Sequence, residues 1–108
     1  MATPQYQVTN PATGEVGATF PSTTDAELDH ALASSQAAYQ DWRARPIAER
    51  AAIVTRVAEL FTERAAALGE LITTEMGKRP SQASGEAEFC GEIFGYYADN
   101  GPAMLADK

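Results

Sequence analysis

Leu71-Ile72-Thr73-Thr74-Glu75-Met76-Gly77-Lys78-Arg79-Pro80, continuing from Ser81 to Tyr97, is the stretch on which the fold turns. Leu71, Ile72 and Met76 give a short helix an apolar side. Gly77 suits the left-handed position that closes a helix, and Lys78 places positive charge at that end. Pro80 fits the first turn of the next helix, where an N–H would be unpaired anyway, and the spacing predicts helix from Pro80 through Tyr97. Phe89, Cys90, Ile93, Phe94, Tyr96 and Tyr97 fall on more than one side of that helix. A single partner surface cannot cover them all, so the helix is expected to be buried nearly all round.

Composition narrows the class of protein. The 108 residues are 44% hydrophobic and 21% charged, ordinary proportions for one soluble globular domain. A net charge of −7 with no basic run argues against nucleic acid or an anionic membrane surface as partner. No apolar stretch approaches the roughly 20 residues that span a bilayer, and Met1 to Asn10 lacks the segments of a signal peptide, so a cytoplasmic location is expected. Cys90 is the only cysteine, so it forms no internal disulfide and builds no zinc site by itself.

Taken in order, Tyr6, Val8, Val16, Ala18 and Phe20 alternate with polar or small residues around Asn10-Pro11-Ala12-Thr13-Gly14, which predicts two short strands joined by a tight loop. Pro11 presets a turn angle and Gly14 accepts positive φ. Pro21 and Ser22 should end the second strand. Thr24-Asp25-Ala26-Glu27 has the form of a capping box, and Leu28, Leu32, Ser35, Tyr39 and Trp42 follow at helical spacing to an end between Trp42 and Arg45. Pro46 opens another helix with Ile53, Val54, Val57, Leu60, Phe61 and Leu68 on its apolar face. Arg50, Arg56, Glu59, Glu63 and Arg64 are assigned to its wet side. Gly69 weakens helix, which predicts a kink or break between Ala65 and Gly69. Asn100-Gly101-Pro102 should stop the last helix.

The organisation expected is mainly α, an N-terminal β-hairpin followed by four helices. A lone hairpin is marginal and the last helix carries more apolar surface than three neighbours cover, so partner surface must come from other subunits or from more of the same chain.

No catalytic constellation stands in these residues. Cys90, among Phe89, Ile93 and Phe94, has no evident base and reads as packing. His30, the only histidine, lies beside Asp29 and reads as an exposed helix residue. Gly85, Gly91 and Gly95 fall inside a helical pattern, where close helix packing explains them better than a phosphate loop. Trp42 reads as a core anchor and Arg50 as a surface or pairing charge. Glu75 opposes the helix dipole in a last turn, which leaves two readings open: compensation by Lys78 or solvent, or a bound cation held by carboxylate and carbonyl oxygens.

Together these features resemble the N-terminal segment of the NAD(P)-dependent aldehyde dehydrogenase superfamily. The resemblance rests on Val8-Thr9-Asn10-Pro11-Ala12-Thr13-Gly14-Glu15-Val16, on Ala37-Ala38-Tyr39 with Trp42, on Arg50 with the apolar helix after it, and on Glu75-Met76-Gly77-Lys78. Gly85 to Cys90 and Tyr96 to Asn100 resemble the succinate-semialdehyde dehydrogenase branch. The resemblance implies a larger α/β enzyme with a cofactor-binding domain, a catalytic domain and an oligomerisation hairpin. Residues 1–108 would then be an incomplete part of the cofactor-binding domain. Such an enzyme oxidises an aldehyde through a cysteine thiohemiacetal, with NAD or NADP as cofactor and a glutamate-activated water releasing the acid. The nucleophilic cysteine, general-base glutamate, oxyanion-hole asparagine and cofactor-contacting lysine of the family would all lie beyond Lys108, and Cys90 matches none of them.

Three positions carry over as metal-site candidates, a monovalent cation held by the Glu75 carboxylate and by main-chain oxygens of Val8 and Thr9. Phe89 resembles a residue facing the substrate tunnel, with ordinary core packing as the other reading. Gly69 departs from the family pattern, which favours a better helix former there. The expected partners are the remainder of its own chain, a small aldehyde and further copies in a dimer or tetramer. The piece alone is expected to be inactive. The alternative is a free-standing, non-catalytic helical interaction module.

Overall fold

In a computed structural model the described residues are 5–107. Two antiparallel strands, β1 (Gln5–Thr9) and β2 (Val16–Pro21), are followed by four helices: α1 (Asp25–Ala44), α2 (Ile47–Glu63), α3 (Ala65–Met76) and α4 (Pro80–Met104). They form two compact units that divide after Arg45.

In the first unit the hairpin turns as its residues dictate. The Asn10 side-chain oxygen accepts the Ala12 amide at 2.9 Å, the Gly14 amide donates to the Asn10 carbonyl at 2.8 Å, and Gly14 takes φ of 75°. Thr9 pairs with Val16 and Gln7 with Thr19, so Val8 stands opposite both Gly17 and Ala18 in a bulge. The second strand ends at Pro21, as expected. It is the strand's last residue, opposite Gln5, a place proline tolerates in a sheet whose strands are both edges. The capping box forms as expected: the Thr24 hydroxyl accepts the Glu27 amide and the Glu27 carboxylate accepts the Thr24 amide at 2.8 Å. The apolar stripe of α1 is left open, with Leu28, Leu32 and Tyr39 all exposed.

In the second unit α4 packs mainly on α2 and then on α3. The contact is a seam of small residues. Ala83, Ala87, Gly91 and Ala98 are buried one or two helical turns apart, which keeps one helix face thin enough for close approach. A Cβ on Gly91 would stand 3.0 Å from the Ala58 carbonyl oxygen and 3.3 Å from the Phe61 Cβ. Phe61 stacks on Phe94 with ring centres 5.4 Å apart. Within this chain the last helix is not buried all round, which leaves open the surface expected to need a partner: Phe89 and Tyr97 are each 59% exposed, and Ile93 and Tyr96 are exposed beside them. The small residues take the inner face, so the large ones are turned outward.

Three boundaries differ from expectation. The break between α2 and α3 falls at Arg64, whose φ of −106° and ψ of 10° cap one helix and open the next. Gly69 stays helical, and a Cβ there would meet the Ser84 Oγ at 2.6 Å and its amide nitrogen at 2.8 Å. What looked like a weak helix former is a crossing point. At the other end α4 runs on through Pro102 to Met104. Proline's fixed φ suits a helix, and in the closing turns its missing N–H costs only the bond to Ala98. The Asn100 side chain donates to the Tyr96 carbonyl at 2.8 Å, and the Leu105 amide to that of Gly101 at 2.9 Å.

Candidate functional site

The end of α3 is built as the sequence implies. Gly77 takes φ of 73° and its amide donates to the Thr73 carbonyl at 2.9 Å, which closes the helix and lets the chain turn into α4 at Arg79-Pro80. Glu75 sits exposed on the last turn, at the rim of a hollow of about 200 Å³ whose walls include Phe61, Leu68, Ile72, Met76 and Cys90. Lys78 does not compensate it. The Lys78 ammonium instead pairs with the Glu86 carboxylate across the turn, a partner eight residues on that helical spacing gave no reason to choose. Among the described residues Glu75 makes no side-chain hydrogen bond or ion pair. Val8 and Thr9 belong to β1 in the first unit, Val8 at the bulge where the ladder is disturbed. No group of three His, Cys, Asp or Glu residues among those described is placed to hold a metal ion.

Phe89 lies on the outer face of α4 with Glu92, Ile93, Tyr96 and Tyr97 around a shallow hollow of about 420 Å³, and Tyr96 and Tyr97 meet edge to face at 5.3 Å. Cys90 is half-buried against the inner hollow. His30 is exposed, with the Ser34 hydroxyl 3.5 Å from its Nε2. The glycines separate: Gly91 is a close-contact position, a Cβ on Gly95 would make ordinary contact with the Ala58 Cβ at 3.9 Å, and one on Gly85 would meet nothing within 4 Å. All three are inside α4, so none of them forms a phosphate cradle.

Two residues are not where sequence spacing put them. Trp42 is half-buried with the Arg45 guanidinium over its ring at 5.9 Å, so it anchors no core within this unit. Arg50 is half-buried, in phase with Val54, Val57, Ala58 and Phe61, and therefore lies on the inner side of α2. Its Nε is buried without a hydrogen-bond partner, as is the Thr73 hydroxyl. The helical phase of Arg50 with Val54, Val57, Ala58 and Phe61 was the sequence signal that could have shown this.

Charge on the wet side of α2 is organised around Arg56, whose guanidinium reaches Glu59 at 2.7 Å and Glu63 at 2.8 Å. Those hydrogen bonds hold the Glu63 carboxyl below the usual carboxylate range, and the Thr24 amide does the same for Glu27. A carboxyl with a lowered folded pKa contributes its stability above its unfolded pKa and loses it as pH falls through the folded value. Acidification from pH 7 to 3 should therefore reduce the helical circular dichroism signal. Glu27→Gln and Glu63→Gln variants should each flatten that titration, and an unchanged titration in both would refute the assignment.

Residues 1–108 match the aldehyde dehydrogenase family along their whole length, and the chain belongs to that family. No helix among the described residues is long and apolar enough to cross a membrane. Among its relatives, the NADP(+) succinate-semialdehyde dehydrogenase of Deinococcus radiodurans is 43% identical over 103 residues, covering 95% of this chain and 22% of that protein. Succinic semialdehyde dehydrogenase from Streptococcus pyogenes, solved with NADP+, superposes with a TM-score of 0.88 at 34% identity, over 94% of this chain and 22% of the other. An NAD-dependent benzaldehyde dehydrogenase from Corynebacterium glutamicum superposes with a TM-score of 0.87 at 30% identity, over 97% and 23% respectively. The chain thus spans 22% of the length of the curated relative it resembles. The mainly helical architecture with an antiparallel hairpin is that of the matching part of these enzymes.

Proposed function

We propose that residues 1–108 are the N-terminal part of the cofactor-binding domain of an aldehyde dehydrogenase. The enzyme oxidises succinate semialdehyde, or a close aldehyde, to the acid through a cysteine thiohemiacetal, with the catalytic residues outside this chain. The observation that carries the reading is the 43% identity to a succinate-semialdehyde dehydrogenase over 95% of this chain. NADP is the favoured nucleotide, because the NADP(+) name recurs among the most similar relatives. The open faces of α1 and α4 support the same reading, since apolar surface of that kind is covered in a complete fold. The remainder of its own chain covers them, and the assembled enzyme is a cytoplasmic homo-oligomer, dimer or tetramer.

Phe89 faces the substrate tunnel in this proposal, supported by its exposure beside Ile93 and Tyr96. A monovalent cation is held by the Glu75 carboxylate and the main-chain oxygens of Val8 and Thr9. Its support is the resemblance of these positions to the family, with a Glu75 carboxylate that has no side-chain partner among the described residues.

The test uses the isolated chain and a chimaera in which it replaces the matching segment of the Deinococcus relative, each assayed with succinate semialdehyde and NADP+ or NAD+. The chimaera should turn over and the isolated chain should not. Turnover by the isolated chain would move the chemistry into these residues, and a folded but inactive chimaera would sink the enzyme reading in favour of a free-standing interaction module.

A further inference from the structure

We infer that Asn100-Gly101 is a self-modification site, where the Asn100 side chain loses its amide to imide formation at a rate set by fraying of the closing turns of α4. The chain has two asparagines, Asn10 and Asn100. Asn10 precedes Pro11, whose ring nitrogen has no hydrogen to lose. Asn100 precedes Gly101, where no side chain hinders the approach of the nitrogen to the neighbouring side-chain carbonyl. In the reaction the Gly101 nitrogen gives up its proton to base and bonds the Asn100 Cγ, the Cγ–Nδ2 bond breaks, and ammonia leaves. Water then opens the cyclic imide at one carbonyl or the other, yielding aspartate or isoaspartate.

The fold restrains this step and also leaves it an opening. Helical backbone keeps the Gly101 nitrogen in the hydrogen-bond ladder and away from the Asn100 Cγ, and the leaving group itself is tied down, since the Asn100 Nδ2 donates to the Tyr96 carbonyl at 2.8 Å. Past Ala98, though, α4 has no fully buried residue, and a Cβ on Gly101 would meet nothing within 4 Å. Pro102 supplies no N–H to the Ala98 carbonyl. The helix ends at Leu105 without a left-handed cap, on the single bond from the Leu105 amide to the Gly101 carbonyl at 2.9 Å. Turns packed so lightly open at small cost while the rest of the fold stays closed, and Asn100 is exposed to the water and base that the step consumes. The product weakens the helix end further. An aspartate there lacks the donor to Tyr96 and adds a second charge beside Asp99 where the helix dipole is negative, and an isoaspartate lengthens the main chain and throws the ladder out of register.

The test keeps residues 1–108 in mildly alkaline buffer beside two references, the same chain unfolded in urea and the peptide of residues 96–104, and follows conversion by mass spectrometry of the fragment that contains Asn100. The chain in buffer should convert about tenfold or more slowly than either reference. Pro102→Ala restores the missing helix bond, so it should slow the chain further and leave the rate of its own peptide unchanged. Urea below the unfolding transition should hardly alter the rate, because opening these turns exposes little surface. Conversion of the chain at the peptide's rate would overturn the inference, folded or not, since the helix would then be no gate. A Pro102→Ala rate equal to the parent's, or a rate that climbs with urea as steeply as global unfolding, would overturn it by moving the opening elsewhere. No conversion of the chain while the peptide converts fully would show that Asn100-Gly101 is no site at all.

Discussion

Replacing Gly69 with alanine is expected to destabilise the second unit, although alanine is the better helix former by about 1 kcal/mol. The added methyl would stand 2.6 Å from the Ser84 Oγ, 2.8 Å from its amide nitrogen and 3.1 Å from its Cα. The hydroxyl can rotate away, but the other two atoms belong to the backbone of α4 and move only if the helix moves. Overpacking of this kind costs about 1–3 kcal/mol, so with the propensity gain subtracted the net loss should be up to about 2 kcal/mol, towards the upper end because backbone atoms are struck, and Gly69→Val should lose more. Gly85→Ala is the matched control: nothing stands within 4 Å of its Cβ position, so the propensity gain should appear alone and raise stability. Ser84→Gly should rescue Gly69→Ala only in part. Urea denaturation of the isolated chain gives both signs, and a stabilised Gly69→Ala would show that α3 and α4 do not cross there.

Phe61→Ala should be the most damaging single truncation in the second unit. Phe61 stacks on Phe94, its Cβ lies against Gly91, and its ring lines the hollow shared with Leu68 and Cys90, so one side chain links α2 to both other helices. Full burial would make the loss about 3–5 kcal/mol. Phe61 is half-buried, so about 2–3 kcal/mol is expected by the same measure. Phe89→Ala provides the contrast. At 59% exposure it should cost the isolated chain little, whereas in the complete enzyme, where the proposal covers that face, it should raise KM for the aldehyde. Equal losses for Phe61→Ala and Phe89→Ala in the isolated chain would mean that α4 is seated the other way round.

The Arg56 cluster should matter much less. Its ion pairs are exposed, and pairs of that kind lose in side-chain entropy most of what they gain by attraction. The acid titration described above is therefore a measurement of direction, in which Glu27 and Glu63 report hydrogen bonding and not core stability.

Much of this fold was legible because its signals are local. The capping box at Thr24 and Glu27, the left-handed Gly77, the Pro80 start and the Asn10 to Gly14 turn each depend on residues within one turn of one another, so neighbouring chemistry suffices to read them. The family was legible for a related reason, since two of those short segments, Asn10 to Gly14 and the Gly77 helix end, are among those that carry the resemblance. Packing decided the remainder. Gly69 reads as a weak helix former until Ser84 is brought against it, and Arg50 reads as a surface charge until the inner side of α2 is known. Lys78 could not be assigned to Glu86 before the α3–α4 turn set the direction of α4. Pro102 reads as a stop, but the preceding turns hold α4 helical against α2. In each case the deciding contact is not one that the spacing of neighbouring residues reveals, and only the packing of the helices sets it.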